Sequence, residues 1–227
     1  SNVKEQCPRL HARPQRATAD SEDLEKLSKE KEVVGIYLSG HPLDDFKFEV
    51  KHFCNSEVKE LNDLEKLKSK GEVRMACIVT SAQHRVSKTG RPFGILGVEG
   101  YKESHEFMLF GDDYIKLKPY LTKDWFLFIR GKVQKRRYGE DLEFKINHID
   151  LLSEVREKLT KSITLKVDAR EINQELVAWL KTLSEQNRGN CQLQLSIIDR
   201  KNKNVIELRS RSLQINLNNK VLDHLLN

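Results

Sequence analysis

The chain has 227 residues, 38% hydrophobic, 33% charged and 7% aromatic. That is lean for one large core and suits small modules joined by solvated helices and linkers. A net charge of +6 with a pI near 9.0 is compatible with an acidic partner without demanding one. Four cysteines (Cys7, Cys54, Cys77, Cys191) lie far apart with no C-x-x-C pair, which speaks for a reducing compartment. The histidines show no ligand spacing with them, which argues against a zinc site. No apolar stretch reaches bilayer-spanning length and no signal peptide opens the chain, so no membrane association and a cytoplasmic location are expected. The start at Ser1-Asn2-Val3, without Met, is expected of an excised piece of a longer protein.

The positive charge is unevenly placed. Residues 1–72 carry 13 basic and 15 acidic side chains, residues 73–152 carry 14 and 10, and residues 153–227 carry 13 and 9.

In chain order, residues 1–20 hold two prolines and no hydrophobic period, and are expected to be loosely ordered or foreign to the natural protein. Residues 21–72 read as a helical connector. Ser21 and the acids after it suit a helix start, and Val33, Val34, Ile36, Tyr37 and Leu38 are too apolar for a free surface. Gly40-His41-Pro42 is a stop signal. His41 has Asp44 and Asp45 nearby but no nucleophile beside it, so it reads as a turn residue bonded to backbone. Phe46, Val50 and Phe53, then Leu61, Leu64 and Leu67, continue the helical pattern as far as Gly71.

Residues 73–152 contain five short apolar pulses: VRMACIVTSAQ, FGILGV, HEFMLF, WFLFIRGKV and LEFKINHIDLL. Turn chemistry separates them, and a short helix is expected at GDDYIKLKPYL. Strand-strand-strand-helix-strand-strand is the order of the five-stranded OB barrel, which grips single-stranded nucleic acid on its sheet and end loops. Gly94, Gly97 and Gly100 signal either barrel curvature or a close approach. Phe107 and Leu109 face one way and Met108 and Phe110 the other; the helix is expected to cover the barrel bottom against Phe110. Trp125, Phe126 and Phe128 are assigned to packing.

Two connections are strongly basic. Arg85, Lys88 and Arg91 lie between the first two strands, and Lys132, Lys135, Arg136 and Arg137 between the last two, with Tyr138 at the tip. In a barrel both loops are expected on one side of the sheet, framing one groove. The cations would track phosphates, with Phe93 and Tyr138 as stacking candidates. Glu140, Asp141 and Glu143 temper the second loop.

Residues 153–161 read as a charged linker. Residues 162–227 read as a small β-α-β-β-α partner-docking domain: a strand at 163–167, a helix from Asp168 to Glu185 with Ile172, Leu176, Trp179, Leu180 and Leu183 inside, a strand at 191–200, a polar loop at 201–204, short strands at 205–208 and 213–217, and a last helix. The fold class expected is α+β and multidomain: helical connector, five-stranded OB-fold β-barrel, small C-terminal domain. No phosphate loop, nucleophile elbow, HExxH or kinase signature occurs, and the aspartate pairs Asp44-Asp45 and Asp112-Asp113 point apart, so no catalysis and no cofactor are expected of this stretch.

One stretch carries a resemblance. Glu32, Gly35, Tyr37, Leu38, Gly40, His41 and Pro42, followed by Lys88-Thr89-Gly90, Phe93, Glu99 and Glu106 to Phe110, closely resemble the C-terminal part of the bacterial replicative DNA polymerase III alpha family, with a departure at Gly100, where the family often has Asp. The resemblance covers about residues 22–227. It implies an OB barrel near the single-stranded template and a last unit holding the tau subunit of the clamp loader, within the remainder of the polymerase holoenzyme. It also implies that the catalytic aspartates and their Mg2+ lie in an upstream palm domain, a nucleotidyltransferase absent from this chain. Gln6 to Leu10 is a poor match to the family's clamp-binding peptide. Two other readings stand beside it: an interaction scaffold whose OB spacer binds nothing, and an RNA-binding OB module of a tRNA synthetase, against which GIYLSGHPLDDF argues.

Overall fold

A computed structural model of the chain describes residues 40–136 and 139–226. The expectations of a loosely ordered start and of a helix from Ser21, and the apolar run before Gly40, fall outside the described residues, as do Arg137 and Tyr138. The chain divides into two compact units, one ending at Ser153 and one spanning Glu154–Asn227. The architecture is mixed α and β.

The first unit opens with helical turns: a 3-10 turn at Pro42–Phe46, α1 (Lys47–Phe53), a second 3-10 turn at Val58–Asn62 and α2 (Leu64–Lys68). All of these starts except that of α1 are capped by side chains. The Asp63 carboxylate accepts from the Lys66 amide (3.0 Å), and Glu60 accepts from the Glu57 amide (3.0 Å). Val58, Leu61 and Leu67 of this expected connector are buried in the same core as the sheet that follows. His41 is a structural latch. Its Nδ1 accepts from the Leu43 amide (3.1 Å), which leaves the neutral ring's proton on Nε2 to donate to the Gly100 carbonyl (3.0 Å). Its ring lies 4.6 Å from that of Tyr101, whose hydroxyl donates to the Leu43 carbonyl (3.2 Å).

Five strands follow: β1 (Glu72–Val86), β2 (Pro92–Glu99), β3 (Ser104–Phe110), β4 (Phe126–Lys135) and β5 (Leu142–Leu151), with α3 (Gly111–Leu117) between β3 and β4. The antiparallel sheet has the order β3-β2-β1-β4-β5. β1 is its shared strand. Val73, Met75, Cys77 and Val79 alternate into the core, until a register irregularity between Val79 and Ser81 changes the parity. Beyond it Ala82 packs inward, and Ser81, Gln83 and Arg85 turn outward. Gly97 stands opposite Ser81, where an added Cβ would come within 2.3 Å of the Ser81 hydroxyl. At Gly94 a Cβ would meet Leu121 at 2.6 Å and Tyr114 at 2.8 Å. These glycines admit the protein's own side chains, so curvature and packing account for them.

The barrel expected from the sequence does not close. β3 and β5 share no ladder. Seven-residue β3 passes straight into α3, whose side chains reach β5 instead: Lys116 Nζ donates to the Asn147 carbonyl (2.7 Å), and Asp113 pairs with Lys145 (3.3 Å). The rings of Phe107 and Phe144 meet across this seam at 5.9 Å, beside a cavity of about 90 Å³. α3 buries Tyr114 and Leu117, with Phe107 and Leu109 of β3, in the core. It does not cover Phe110, contrary to expectation, because Phe110 lies on the opposite face of β3 from Leu109. The assignment of Trp125, Phe126 and Phe128 to packing agrees with the structure: Phe128 is fully buried, Phe126 lies 4.9 Å from the Phe46 ring, and Trp125 packs on the core.

The residues expected as a charged linker instead form α4 (Leu152–Leu159), and its Arg156 is anchored in the second unit by the Leu217 carbonyl (3.0 Å) and Asn219 Oδ1 (2.7 Å). There β6 (Ser162–Asp168), α5 (Gln174–Gln186), β7 (Cys191–Asp199), β8 (Asn204–Ile215) and α6 (Asn219–Leu226) form a three-stranded sheet in the order β6-β7-β8 with two helices. β6 and β7 are parallel, and β7 and β8 antiparallel. α5 starts at Gln174, capped by the Asn173 side chain (2.8 Å to the Leu176 amide); the residues after Asp168 form a 3-10 turn. Leu180 and Leu183 are its buried apolar residues, while Ile172 and Trp179, expected inside, are exposed. The two short strands expected after Asn204 are one continuous strand.

Burial holds the His105 imidazole below its ordinary pKa of 6.5, against a weaker opposing pull from Glu106. The folded state therefore takes up a proton less readily than the unfolded chain. The stability this gives is complete above 6.5 and is lost as pH falls through the lowered folded value. Thermal melts between about pH 7.5 and 5 should show the parent losing more stability than His105→Gln; equal slopes would refute the assignment.

Candidate nucleic-acid interface

Four of the nine sequence-predicted site residues come together on the β1–β2 hairpin. Arg85 is paired in register with Phe93, and Phe93 with Phe110 on β3, so one row of side chains crosses three strands. The next row on that face is Gln83–Ile95–Met108, and beyond it Ser81–Gly97–Glu106. The rings of Phe93 and Phe110 are stacked, 5.3 Å apart and 24° from parallel. Phe110 is 56% exposed and Met108 64%. Two adjacent exposed apolar side chains beside a stacked ring form a platform that the described residues leave uncovered.

The turn next to this platform is tightly built. Ser87 and Gly90 close it through Ser87 N–H to Arg91 O (2.9 Å) and Gly90 N–H to Ser87 O (2.9 Å), and the Ser87 hydroxyl accepts from the Arg91 amide (3.1 Å). Gly90 sits at φ +77°, a conformation that favours glycine. Lys88 and Arg91 are exposed on this turn, and with Arg85 they form no ion pair among the described residues.

The second basic connection is not brought beside the first. β2 folds back from the end of β1, pairing Pro92 with Val86, whereas antiparallel β4 runs past its start, pairing Lys132 with Glu72. The two hairpins thus leave β1 at opposite ends, because its neighbours on either side must run in the same direction. Lys132 and Arg136 are exposed, but Lys135 is paired with Glu140, and Gln134 Nε2 donates to Glu143 (2.9 Å). Arg137 and Tyr138 lie outside the described residues.

Phe110 and Met108 were missed as site residues. The alternation of HEFMLF put them on one face together, but only burial tells which face is the core. Elsewhere the chemistry is quiet. Burial pushes the Cys54 thiol up to about 12 and Cys77 higher still, far from reactive thiolates. Among the described residues no group of three or more His, Cys, Asp or Glu side chains could hold a metal ion, and no helix is long and apolar enough to cross a membrane.

The fold and surface therefore describe a two-unit chain whose first unit presents a basic, aromatic sheet face. Residues 163–227 match the family model described as DNA polymerase III alpha subunit, C-terminal domain. DNA polymerase III alpha subunits are similar over most of the chain: that of Pseudomonas aeruginosa is 25% identical over 171 residues (75% of this chain), that of Escherichia coli 27% over 164 (72%), and that of Neisseria meningitidis serogroup A 30% over 181 (79%). The chain is homologous to the C-terminal region of this subunit and spans only 14–15% of these relatives' length. A solved structure of a replication protein A heterotrimer bound to ssDNA matches 63% of this chain and 35% of its own, at 12% identity and a TM-score of 0.29, a likeness too slight to build on.

If Phe110 and Met108 are surface residues, replacing either by Ala should change stability by about 0.5 kcal/mol or less, whereas Leu109→Ala, one residue away, should cost about 2–5 kcal/mol. Urea denaturation of the three variants checks this.

Proposed function

We propose that this chain is a non-catalytic, cytoplasmic part of a bacterial replicative DNA polymerase, handling single-stranded template DNA with its first unit and docking the clamp-loader tau subunit with its second. In this reading polymerisation and its Mg2+ belong to the remainder of the protein. The first unit is read as an open OB module: β1 pairs with both β2 and β4, and OB barrels are themselves partly open.

The observation that carries the DNA reading is the exposed Phe110 ring, stacked on half-buried Phe93, with Arg85, Lys88 and Arg91 at its margin. A base laid on Phe110 extends an existing stack, and such contacts are worth about 1–3 kcal/mol each. The cations beside it hold the adjoining phosphates without reading sequence. Glu106, two rows away on the same face, limits the length of the platform. The opposite hairpin, with Lys132 and Arg136 exposed, is a secondary contact for a strand long enough to reach it. The second unit's role rests on the family match alone.

Fluorescence titration of an oligothymidylate at several salt concentrations tests the first assignment. Three phosphate contacts give a log–log slope of about 2, and five, if Lys132 and Arg136 join, about 3.5. Phe110→Ala should weaken binding by about 5- to 100-fold. Absence of binding at low salt would leave the module as a spacer, and tighter binding of RNA than of DNA of one sequence would favour the RNA-binding reading. For the second unit, immobilised tau should capture the full chain at low salt; a clean negative removes that role.

A further inference from the structure

The three-stranded sheet of the second unit ends in β8, which has β7 on one side and, among the described residues, no strand on the other. Its apolar rows run out to this edge. Val167, Ile197 and Ile206 are in register, as are Leu165, Leu195 and Leu208, on the face that alternation makes apolar. Yet Ile206 is 53% exposed, Leu208 46%, and Val205 on the other face 60%. An edge strand normally carries charges, proline or a bulge where it is open, because its unpaired amides and carbonyls are a template for another chain. Here the open half, the stretch from Val205 to Leu208, has Glu207 as its one charge, and the register irregularity of the strand lies beyond it, between Arg209 and Gln214.

The charges around this edge are chiefly positive. The β7–β8 turn supplies Arg200, Lys201 and Lys203, and the strand adds Arg209. The acids nearby are engaged in building the turn or gripping arginines. Asp199 accepts from the amides of Lys201 (3.0 Å) and Asn202 (3.1 Å), and Asp168 holds Arg170 (2.9 Å) and Arg200 (3.3 Å). Lys201, Lys203 and Arg209 form no ion pair among the described residues, and Glu207 is the acid within the open half.

We infer that the edge of β8 is a docking site for an extended peptide segment of a protein partner, in which apolar and acidic residues alternate, added as a fourth strand. The inference rests on the reading that the second unit docks a partner, and gives that docking a place and a chemistry. Backbone pairing supplies affinity in such complexes, and alternate side chains supply choice. Apolar side chains of the peptide would lie beside Ile206 and Leu208, extending the two rows, while its carboxylates meet Lys201, Lys203 and Arg209. A nucleic acid fits less well, since the open half of β8 offers aliphatic side chains and no ring on which a base could stack. A second copy of this chain would bring the same cations against themselves, which opposes pairing.

The test uses the full chain and a fluorescein-labelled peptide, Glu-Val-Glu-Val-Glu-Val-Glu, followed by polarisation. Binding should slow amide exchange across residues 204–209. It should weaken about tenfold or more in the Lys201→Glu, Lys203→Glu double variant, whose changes lie in an exposed turn, and likewise in Ile206→Lys. A peptide N-methylated on alternate residues should not bind, because it cannot complete the ladder. Equal binding of the N-methylated peptide, of poly-glutamate or of an oligonucleotide competing at this site overturns the proposal. So does a dimer of the unliganded chain that Ile206→Lys dissolves. Capture by immobilised tau separates the two readings: variants that lose the peptide but keep tau sink the β8 site alone, whereas peptide binding without capture sinks the tau assignment alone.

Discussion

Everything in the first unit depends on β1 being hydrogen-bonded along both edges. Its first half pairs with β4 and its second half with β2, so one strand must serve two directions of curvature. The irregularity between Val79 and Ser81 is where it changes from one to the other. Without it, the residue facing outward beyond Thr80 would be His84, not Arg85. His84 instead turns in and meets the Tyr114 hydroxyl at 2.9 Å. One extra residue thus decides which side chain stands beside Phe93, and a local feature of the ladder becomes a feature of the surface.

The same strand separates the two basic hairpins. Neighbours of a strand that are both antiparallel to it run alike, so their free ends leave in opposite directions. The resulting surface has one strong cluster, with Arg85, Lys88 and Arg91 in no ion pair among the described residues and beside an aromatic platform, and one weaker cluster in which Lys135 is answered by Glu140. The helical turns at 42–67 matter for a different reason. Their Val58, Leu61 and Leu67 complete the core, and His41 fastens the start of this segment to the Gly100 carbonyl. The segment belongs to the fold of the sheet.

The second unit solves its burial problem only in part. Its sheet is apolar on one face and α5 buries Leu180 and Leu183, yet the outermost strand keeps Ile206 and Leu208 partly in water. A unit this small cannot cover both its rows and its edge with one long helix and one short one. An exposed apolar edge carries a cost in solubility, which the neighbouring lysines and arginines offset by keeping like chains apart.

The order of the elements, the alternation of the strands and the polymerase kinship were legible in the sequence. They depend on local periodicity and on motifs such as Gly40-His41-Pro42, which a linear reading can see. His41 as a turn residue was legible too, since nothing beside it could act with it. What only the tertiary structure decided was parity and closure. Alternation in HEFMLF makes two faces without naming the inner one, and burial of Phe107 and Leu109 left Met108 and Phe110 outside. The open seam between β3 and β5 and the separation of the two basic hairpins follow from how strands distant in sequence pair, and the helix at residues 152–159 buries Leu152 and Val155 and sets Arg156 against Leu217 and Asn219. Those partners lie about sixty residues away; contacts at such range leave no periodic trace in the chain, because their free energy exists only once both ends are in place.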